Sequence, residues 1–325
     1  MRSLRHAGVI FVLILIGACG VARAQDRSFS EWRAHFRGEA LAAGIAPALF
    51  DRAMADVRPI PHIIELDHRQ PEGKLRFSDY VRRLASPQRR AGVRQHLDDN
   101  RALLADIGRR YGVQPRFIVA LWGMETDFGH FPGDFPVLAS LATLAYDGRR
   151  AALFERELIA ALRIIQRDGI SPSELRGSWA GAMGQCQFMP SSFLQYAVSY
   201  RGTGRPDIWT DRADVLASIA NYLARLGWND RENWGRMVQA PAGLPAGDVG
   251  LGTQKSLAEW RRLGVRKADG GPLPQANLMA SLLLPEGVGG PALLVYGNFR
   301  TLLRWNNSQA FATSVGLLAD DSESR

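Results

Sequence analysis

Helix-start signals recur along this chain, and between them apolar residues return at helical spacing. Any fold it adopts must therefore be built mainly of helices. Ser28 and Glu31 have the form of a capping box ahead of Trp32 and Phe36. Pro47 suits the first turn of a short second helix. Ser86 and Pro87 open a stretch in which Val93, Leu97, Leu104, Ile107 and Tyr111 predict one long helix. Pro115 opens another, with Ile118, Leu121, Trp122 and Glu125 on one side and Gly129 as its expected stop. Further helices are expected around 137–145, over 149–166 on an apolar stripe of Phe154, Leu158, Leu162 and Ile165, from Pro190, and over 211–226 up to Gly227.

The texture changes after residue 230. Glycine and proline cluster between Pro241 and Gly252, and Ser256 with Glu259 repeats the capping-box pattern. The short apolar runs 281–284 and 292–296 read as strands, and 298–305 and 309–319 return to helix. No internal repeat or heptad is present. The fold class is mainly α (α+β), with a small β element towards the C-terminus.

The first residues have the pattern of an export signal. Arg2 and Arg5 precede an apolar run, Val9 to Ile16, far shorter than the roughly 20 residues of a spanning helix. Ala22-Arg23-Ala24 then offers a cleavage site. The expected organisation is a signal peptide over 1–24 and a secreted part over 25–325, bound for the periplasm. A rival reading takes Ile16-Gly17-Ala18-Cys19 as a lipobox, with Cys19 as a lipid anchor. Loss of Arg2, Arg5 and Arg23 lowers the formal charge from +8 to +5, which favours an anionic partner without naming it. Export and the lack of a basic run argue for cell wall over nucleic acid. Cys186 is the one other cysteine, so no internal disulfide is expected in a cleaved chain. None of the six histidines sits in a zinc or Cys/His signature, and no metal or cofactor is expected.

Three segments place polar residues where apolar ones are expected. In Trp122–Gly129, Glu125 shares the apolar side of its helix; a desolvated carboxyl there would keep a proton near neutrality, as a general acid must. A structural glutamate paired with an arginine fits the position equally well. Asp127 would point away from Glu125 in a continuing helix, leaving Asp134 as the nearest candidate for a second carboxylate. The second segment, Gly177–Pro190, sets Ser178, Gln185 and Gln187 among small and apolar residues. It reads either as a neutral sugar-binding wall or as a tightly packed glycine turn. The third holds Arg149 and Arg150 at a helix start, against the helix dipole; they suit wall carboxylates, orientation of Glu125, or a surface salt bridge.

At these segments the chain resembles the B-type membrane-bound lytic murein transglycosylases. The matching motifs are Gly123–Gly129, Leu141–Asp147, Arg149-Arg150, Gly177–Gly184, Gln187–Ser192, Ala220–Leu223 and the closing Asn298–Ser308, in family order. The resemblance implies a lysozyme-like helical catalytic core over about 100–230, with an accessory part over about 231–325. It implies cleavage of peptidoglycan between N-acetylmuramic acid and N-acetylglucosamine, non-hydrolytically, leaving 1,6-anhydromuramoyl ends. Glu125 matches the sole catalytic acid and base. Ser178, Gln187, Tyr222, Arg149, Arg150, Trp305 and Asn306 match substrate-binding positions, and a monomer acting on glycan strands is expected.

The chain departs from the family pattern in two places. Trp305 stands where the family often has tyrosine, keeping a stacking face and losing a hydroxyl. Some relatives carry a calcium loop; at the corresponding Ser199–Trp209, Arg201, Thr203 and Arg205 replace hard oxygen ligands, so calcium binding is expected to be lost. Two other functions stay open on sequence grounds: a hydrolytic muramidase on the same fold, and a wall-binding protein without catalysis.

Overall fold

The computed structural model describes residues 28–69, 75–202 and 204–321. The expected export signal and its cleavage site, Cys19 and Thr203 therefore lie outside the described residues. In chain order the elements are α1 (Phe29–Ala42), α2 (Pro47–Met54), α3 (Pro61–His68), α4 (Phe77–Leu84), α5 (Pro87–Asp99), α6 (Arg101–Tyr111), α7 (Pro115–Thr126), β1 (Phe135–Pro136), α8 (Val137–Asp147), α9 (Ala151–Asp168), β2 (Arg176–Gly177), α10 (Pro190–Tyr196) and α11 (Arg212–Arg225). There follow β3 (Gly235–Gln239), β4 (Lys255–Ser256), α12 (Leu257–Arg262), β5 (Arg266–Lys267), β6 (Met279–Leu283), β7 (Ala292–Val295), α13 (Gly297–Trp305) and α14 (Gln309–Asp320). The fold is the mainly helical one expected, with its larger sheet near the C-terminus.

The starts follow the local chemistry. Both capping boxes form: the Ser28 and Ser256 hydroxyls accept from the Glu31 and Glu259 amides, while each glutamate takes its serine's backbone N–H at 2.7 and 2.8 Å. Pro47, Pro61 and Pro87 open their helices, where a missing N–H costs nothing.

Two helices end differently from the sequence expectation. The long helix expected from Pro87 to Tyr111 is two, broken at Asn100. Its side-chain Nδ2 donates to His96 O at 2.8 Å and closes α5, while its carbonyl accepts from the Leu104 amide and starts α6. An Asn side chain that competes for the backbone interrupts an apolar pattern that periodicity alone carries through. The second case is α7, which stops at Thr126 and not at Gly129.

The chain clusters into two compact units, Met1–Glu72 with Glu125–Ile219, and Gly73–Met124 with Ala220–Arg325; the division points fall inside α7 and α11. In the first unit α8 packs along α9, α9 also meets α2 and α10, and α3 lies against α8. Trp32 and Phe36 stack with centroids 5.3 Å apart, and the Trp32 indole donates to Glu155. The β1–β2 pair, Phe135 opposite Gly177, ties the segment after α7 to the glycine-rich one.

In the second unit α14 lies against α4 and α5, and a five-stranded antiparallel sheet runs in the order β4-β6-β7-β3-β5. Gly235 faces Val295, and Leu283 faces Leu293. Val238, Leu257, Trp260, Ala280, Leu282, Leu294 and Tyr296 form its core, closed by the Trp260 indole donating to Ala280 O at 2.9 Å. Every residue of β7 is buried, so it reads as a continuous apolar run. β3, Gly-Arg-Met-Val-Gln, has no such run and so no strand signal in the sequence.

Candidate active site

Glu125 is the penultimate residue of α7, whose residues 117–124 are buried on every side. It is half-buried and is the first ionisable side chain after Arg116 along that helix. The sequence assigned it to an apolar side; α7 is apolar all round, so position at the helix end sets Glu125 apart.

What ends α7 is the turn that directly follows Glu125. Asp127, Phe128 and Gly129 take φ of 52°, 60° and 85°, two of them costly left-handed positions for residues with a side chain. Buried Thr126 holds the turn. Its hydroxyl donates to Gln185 O at 2.9 Å and accepts from the Gly129 amide at 3.0 Å, and its carbonyl accepts from Phe131 N at 2.9 Å. Because the helix has already ended, Asp127 is not governed by the opposite-side argument made for a continuing helix. Asp134 points into solvent, its side chain 94% exposed and 3.5 Å from Arg176.

The glycine-rich segment packs against this turn. A Cβ on Gly177 would fall 2.0 Å from Ala182 O, and one on Gly133 (φ 83°) would fall 2.3 Å from Gly177 O. Only glycine allows these backbones to meet so closely. Ser178 is fully buried; its Oγ accepts from Ala182 N at 3.1 Å, and its amide donates to Ala182 O at 2.7 Å. These bonds fit the tight-turn reading of the segment. Gln187, at φ 50°, donates from Nε2 to Pro132 O and Gly184 O, both at 2.9 Å, while its buried Oε1 has no hydrogen-bond partner among the described residues. That acceptor is the kind of group a sugar amide or hydroxyl can satisfy.

Cys186 is fully buried, its Sγ 3.5 Å from Val215 O. Burial first, then the charges of Glu125 and Asp214, push its thiol well above the usual range. A thiol held protonated is no nucleophile.

Arg149 and Arg150 converge on one carboxylate that the sequence did not single out. Asp67 of α3 is 1% exposed. Arg149 Nε lies 3.0 Å from one of its oxygens, Arg150 pairs with the other, and the Arg150 guanidinium also covers the Phe154 ring at 5.2 Å. No sequence signal marks Asp67, because its partners lie 82 and 83 residues away. Asp67, His68 and Asp147 bring ligand atoms within 4.8 Å of one another, but two guanidinium groups already occupy Asp67, which disfavours a cation there.

In the second unit, the Tyr222 ring lies 4.6 Å from that of Trp305, tilted by 33°. Trp305 is 6% exposed, so a face expected to stack on substrate packs on Tyr222. Asn306 is buried; its amide donates to Leu302 O at 2.9 Å and its carbonyl accepts from Ser308 N at 2.7 Å.

The described residues of 199–209, the stretch that matches the calcium loop of some relatives, do not fit a dication. Buried Asp214 accepts the Tyr200 and Asp207 amides at 2.7 and 2.8 Å. Asp207 accepts from the Trp209 and Thr210 amides and the Thr210 hydroxyl. Arg201 faces Asp211 at 3.8 Å, and Arg205 pairs with Glu174 at 2.9 Å. Backbone amides and arginines hold the carboxylates that a calcium ion would need.

This architecture has relatives. The transglycosylase SLT domain family matches residues 28–320. Membrane-bound lytic murein transglycosylase B of Escherichia coli (strain K12) is 38% identical over 210 residues, 63% of this chain and 56% of that one, so the match spans little more than half of the relative. SltB3 from Pseudomonas aeruginosa, solved with NAG-NAM-pentapeptide, is 44% identical with a TM-score of 0.87 over 92% of this chain and 80% of that one. The same protein has also been solved with NAG-anhNAM-pentapeptide. The Escherichia coli lytic transglycosylase Slt35, solved with calcium, is 30% identical with a TM-score of 0.76 over 90% of this chain and 92% of that one. The fold is thus the lysozyme-like one of these enzymes. With the motifs around Glu125 and the match running from end to end of the described residues, the chain belongs to the transglycosylase SLT domain family and, within it, to the B-type lytic transglycosylases.

Proposed function

We propose that this chain is an exported lytic transglycosylase that cuts the β-1,4 bond between N-acetylmuramic acid and N-acetylglucosamine, with Glu125 as its only acid and base. The observation that carries the reading is the place of Glu125: the single acid at the end of a buried helix, beside a turn fixed by Thr126. Glu125 protonates the glycosidic oxygen, the C1–O bond breaks, and positive charge develops at the anomeric carbon of the muramic acid. The substrate's own N-acetyl group stabilises that charge. Glu125, now a carboxylate, takes the proton of the C6 hydroxyl as O6 bonds to C1. The products are a 1,6-anhydro end and a free N-acetylglucosamine end; no water is consumed.

A hydrolase would need a second carboxylate to activate water. Asp134, the candidate for it, is a poor one because its side chain stands in bulk solvent. Gln187 supplies a buried acceptor to substrate, and Arg149 and Arg150 favour the carboxylates of wall peptides. Ser178 shapes the wall, and Tyr222, Trp305 and Asn306 match substrate-binding positions of the family. No helix among the described residues is long and apolar enough to cross a membrane. Export rests on the 1–24 signal, with Cys19 as a lipid anchor in the alternative.

Mass spectrometry of purified sacculi digested by the protein tests this reading. Anhydro ends, lighter by one water than reducing ends, are the expected product. Reducing ends would make the protein a hydrolase, and sedimentation with sacculi without release of fragments would make it a binding protein.

A further inference from the structure

Phe131 is the one aromatic among the large apolar side chains exposed in the described residues; the others are Leu75, Leu263, Met279 and Val288. It is 54% exposed. A single exposed apolar residue is by itself ordinary on a protein surface. The 127–134 loop is instead pinned along its length. The Phe131 amide donates to Thr126 O, the Pro132 carbonyl accepts from Gln187, Gly133 lies against the Gly177 backbone, and the Asp134 carbonyl accepts from Arg176 at 2.9 Å. The ring is thus held out in water by backbone that is fixed on both sides.

Its neighbour adds polar chemistry. The exposed His130 ring lies 6.4 Å from that of Phe131, tilted by 47°. Its Nδ1 is 2.5 Å from Asp127 O, a carbonyl that can only accept, so Nδ1 carries the proton and Nε2 of the neutral ring is an acceptor. An apolar face beside a fixed acceptor is how proteins bind a pyranose: its C–H face stacks on the ring while a hydroxyl donates alongside.

We infer that Phe131 and His130 form a sugar-stacking subsite that holds the glycan strand beyond the residues flanking the cut bond, and so sets a preference for longer strands. The inference deepens the lytic transglycosylase reading and rests on it. Phe131 lies six residues after Glu125, and the carbonyl that follows it is held by Gln187. On this inference, a strand engaged by Glu125 and Gln187 continues onto this ring.

The test uses the full chain carrying Glu125→Gln, which does not turn over, and purified glycan fragments from two to eight sugars long. Adding Phe131→Ala should weaken binding of the longer fragments about tenfold, leave the disaccharide unchanged and leave the melting temperature unchanged. Phe131→Trp should restore binding to within about twofold. Undiminished binding of the long fragments by the alanine variant overturns the proposal. So does an equal loss on the disaccharide, which would put Phe131 inside the cleavage subsites. Failure of the parent reading would look different: wild-type protein would release no anhydro ends, whatever this binding comparison gave.

Discussion

The 177–188 segment and the β3–β7 sheet are both buried, yet they are held by different means. In the sheet, Leu282 and Leu294 interdigitate with Trp260 and Val238, and the burial of apolar side chains dominates. In the glycine-rich segment the backbone itself is the packing surface: Ser178 folds onto Ala182, Met183 pairs with Phe188, and the Gln185 amide reaches Ile208 O. Apolar packing tolerates many volume-matched substitutions, whereas a backbone packed on backbone tolerates almost none. On the proposed reading, the chemistry is set against the inflexible region rather than the forgiving one.

The strongest blow to this division would come from Glu125 itself. Glu125→Gln keeps the shape and cannot cycle a proton, so turnover on sacculi should fall by about a thousandfold or more. The melting temperature should stay within a degree or two. A variant that keeps substantial release of fragments would move the acid elsewhere.

Next come paired core substitutions. Gly177→Ala must displace Ala182 O, and the expected result is a loss of activity per folded molecule of more than tenfold together with reduced stability. Leu294→Ala should cost about 2–5 kcal/mol by denaturant titration while kcat of the folded fraction stays near wild type. If both variants lost stability and kept full kcat, the 177–188 segment would be scaffold only, and the contrast would dissolve.

The same contrast explains what the sequence could disclose. Periodic apolar residues and proline or serine caps betray helices such as α2 and α9, because the forces that set them act between residues a few positions apart. Glu125 stands out for a related reason: it is a carboxyl in an otherwise apolar run. Other features depend on partners distant in sequence. Asp67 gains meaning only when Arg149 and Arg150 arrive, and the burial of Trp305 against Tyr222 needs α11 and α13 to meet. The early end of α7 needs Gln185 as a partner for Thr126, 59 residues away. The strand β3 has no apolar pattern of its own and is placed by pairing with β5 and β7.

Asp67→Asn sharpens the account of the arginine pair. It leaves two guanidinium groups sharing an acceptor without charge, and breaking such a buried pair costs about 3–5 kcal/mol at most, less here because Arg149 is half-exposed. If the arginines serve substrate carboxylates, KM for peptide-bearing fragments should rise severalfold while kcat for bare glycan holds. Equal effects on both substrates would reduce Asp67 to a structural role.

The smallest expected effect concerns the 199–209 loop, which polar contacts hold in place of an apolar core. Burial alone would raise the Asp207 carboxyl, but hydrogen bonds from the Thr210 hydroxyl and the Thr210 and Trp209 amides hold it below the ordinary carboxylate value. A depressed folded-state pKa contributes stability above the unfolded value of about 3.9, lost as pH falls through the folded one. The loop should therefore be tight at neutral pH and loosen only in acid, below about pH 4. Asp207→Asn should speed hydrogen exchange at the Trp209 and Thr210 amides severalfold at pH 7 and narrow its difference from wild type in acid. Millimolar calcium should slow exchange in neither protein, because Asp214 and Asp207 are already engaged by backbone amides. Protection by calcium in the wild type would mean that those amides yield to an ion, and the loop would join its metal-binding relatives after all.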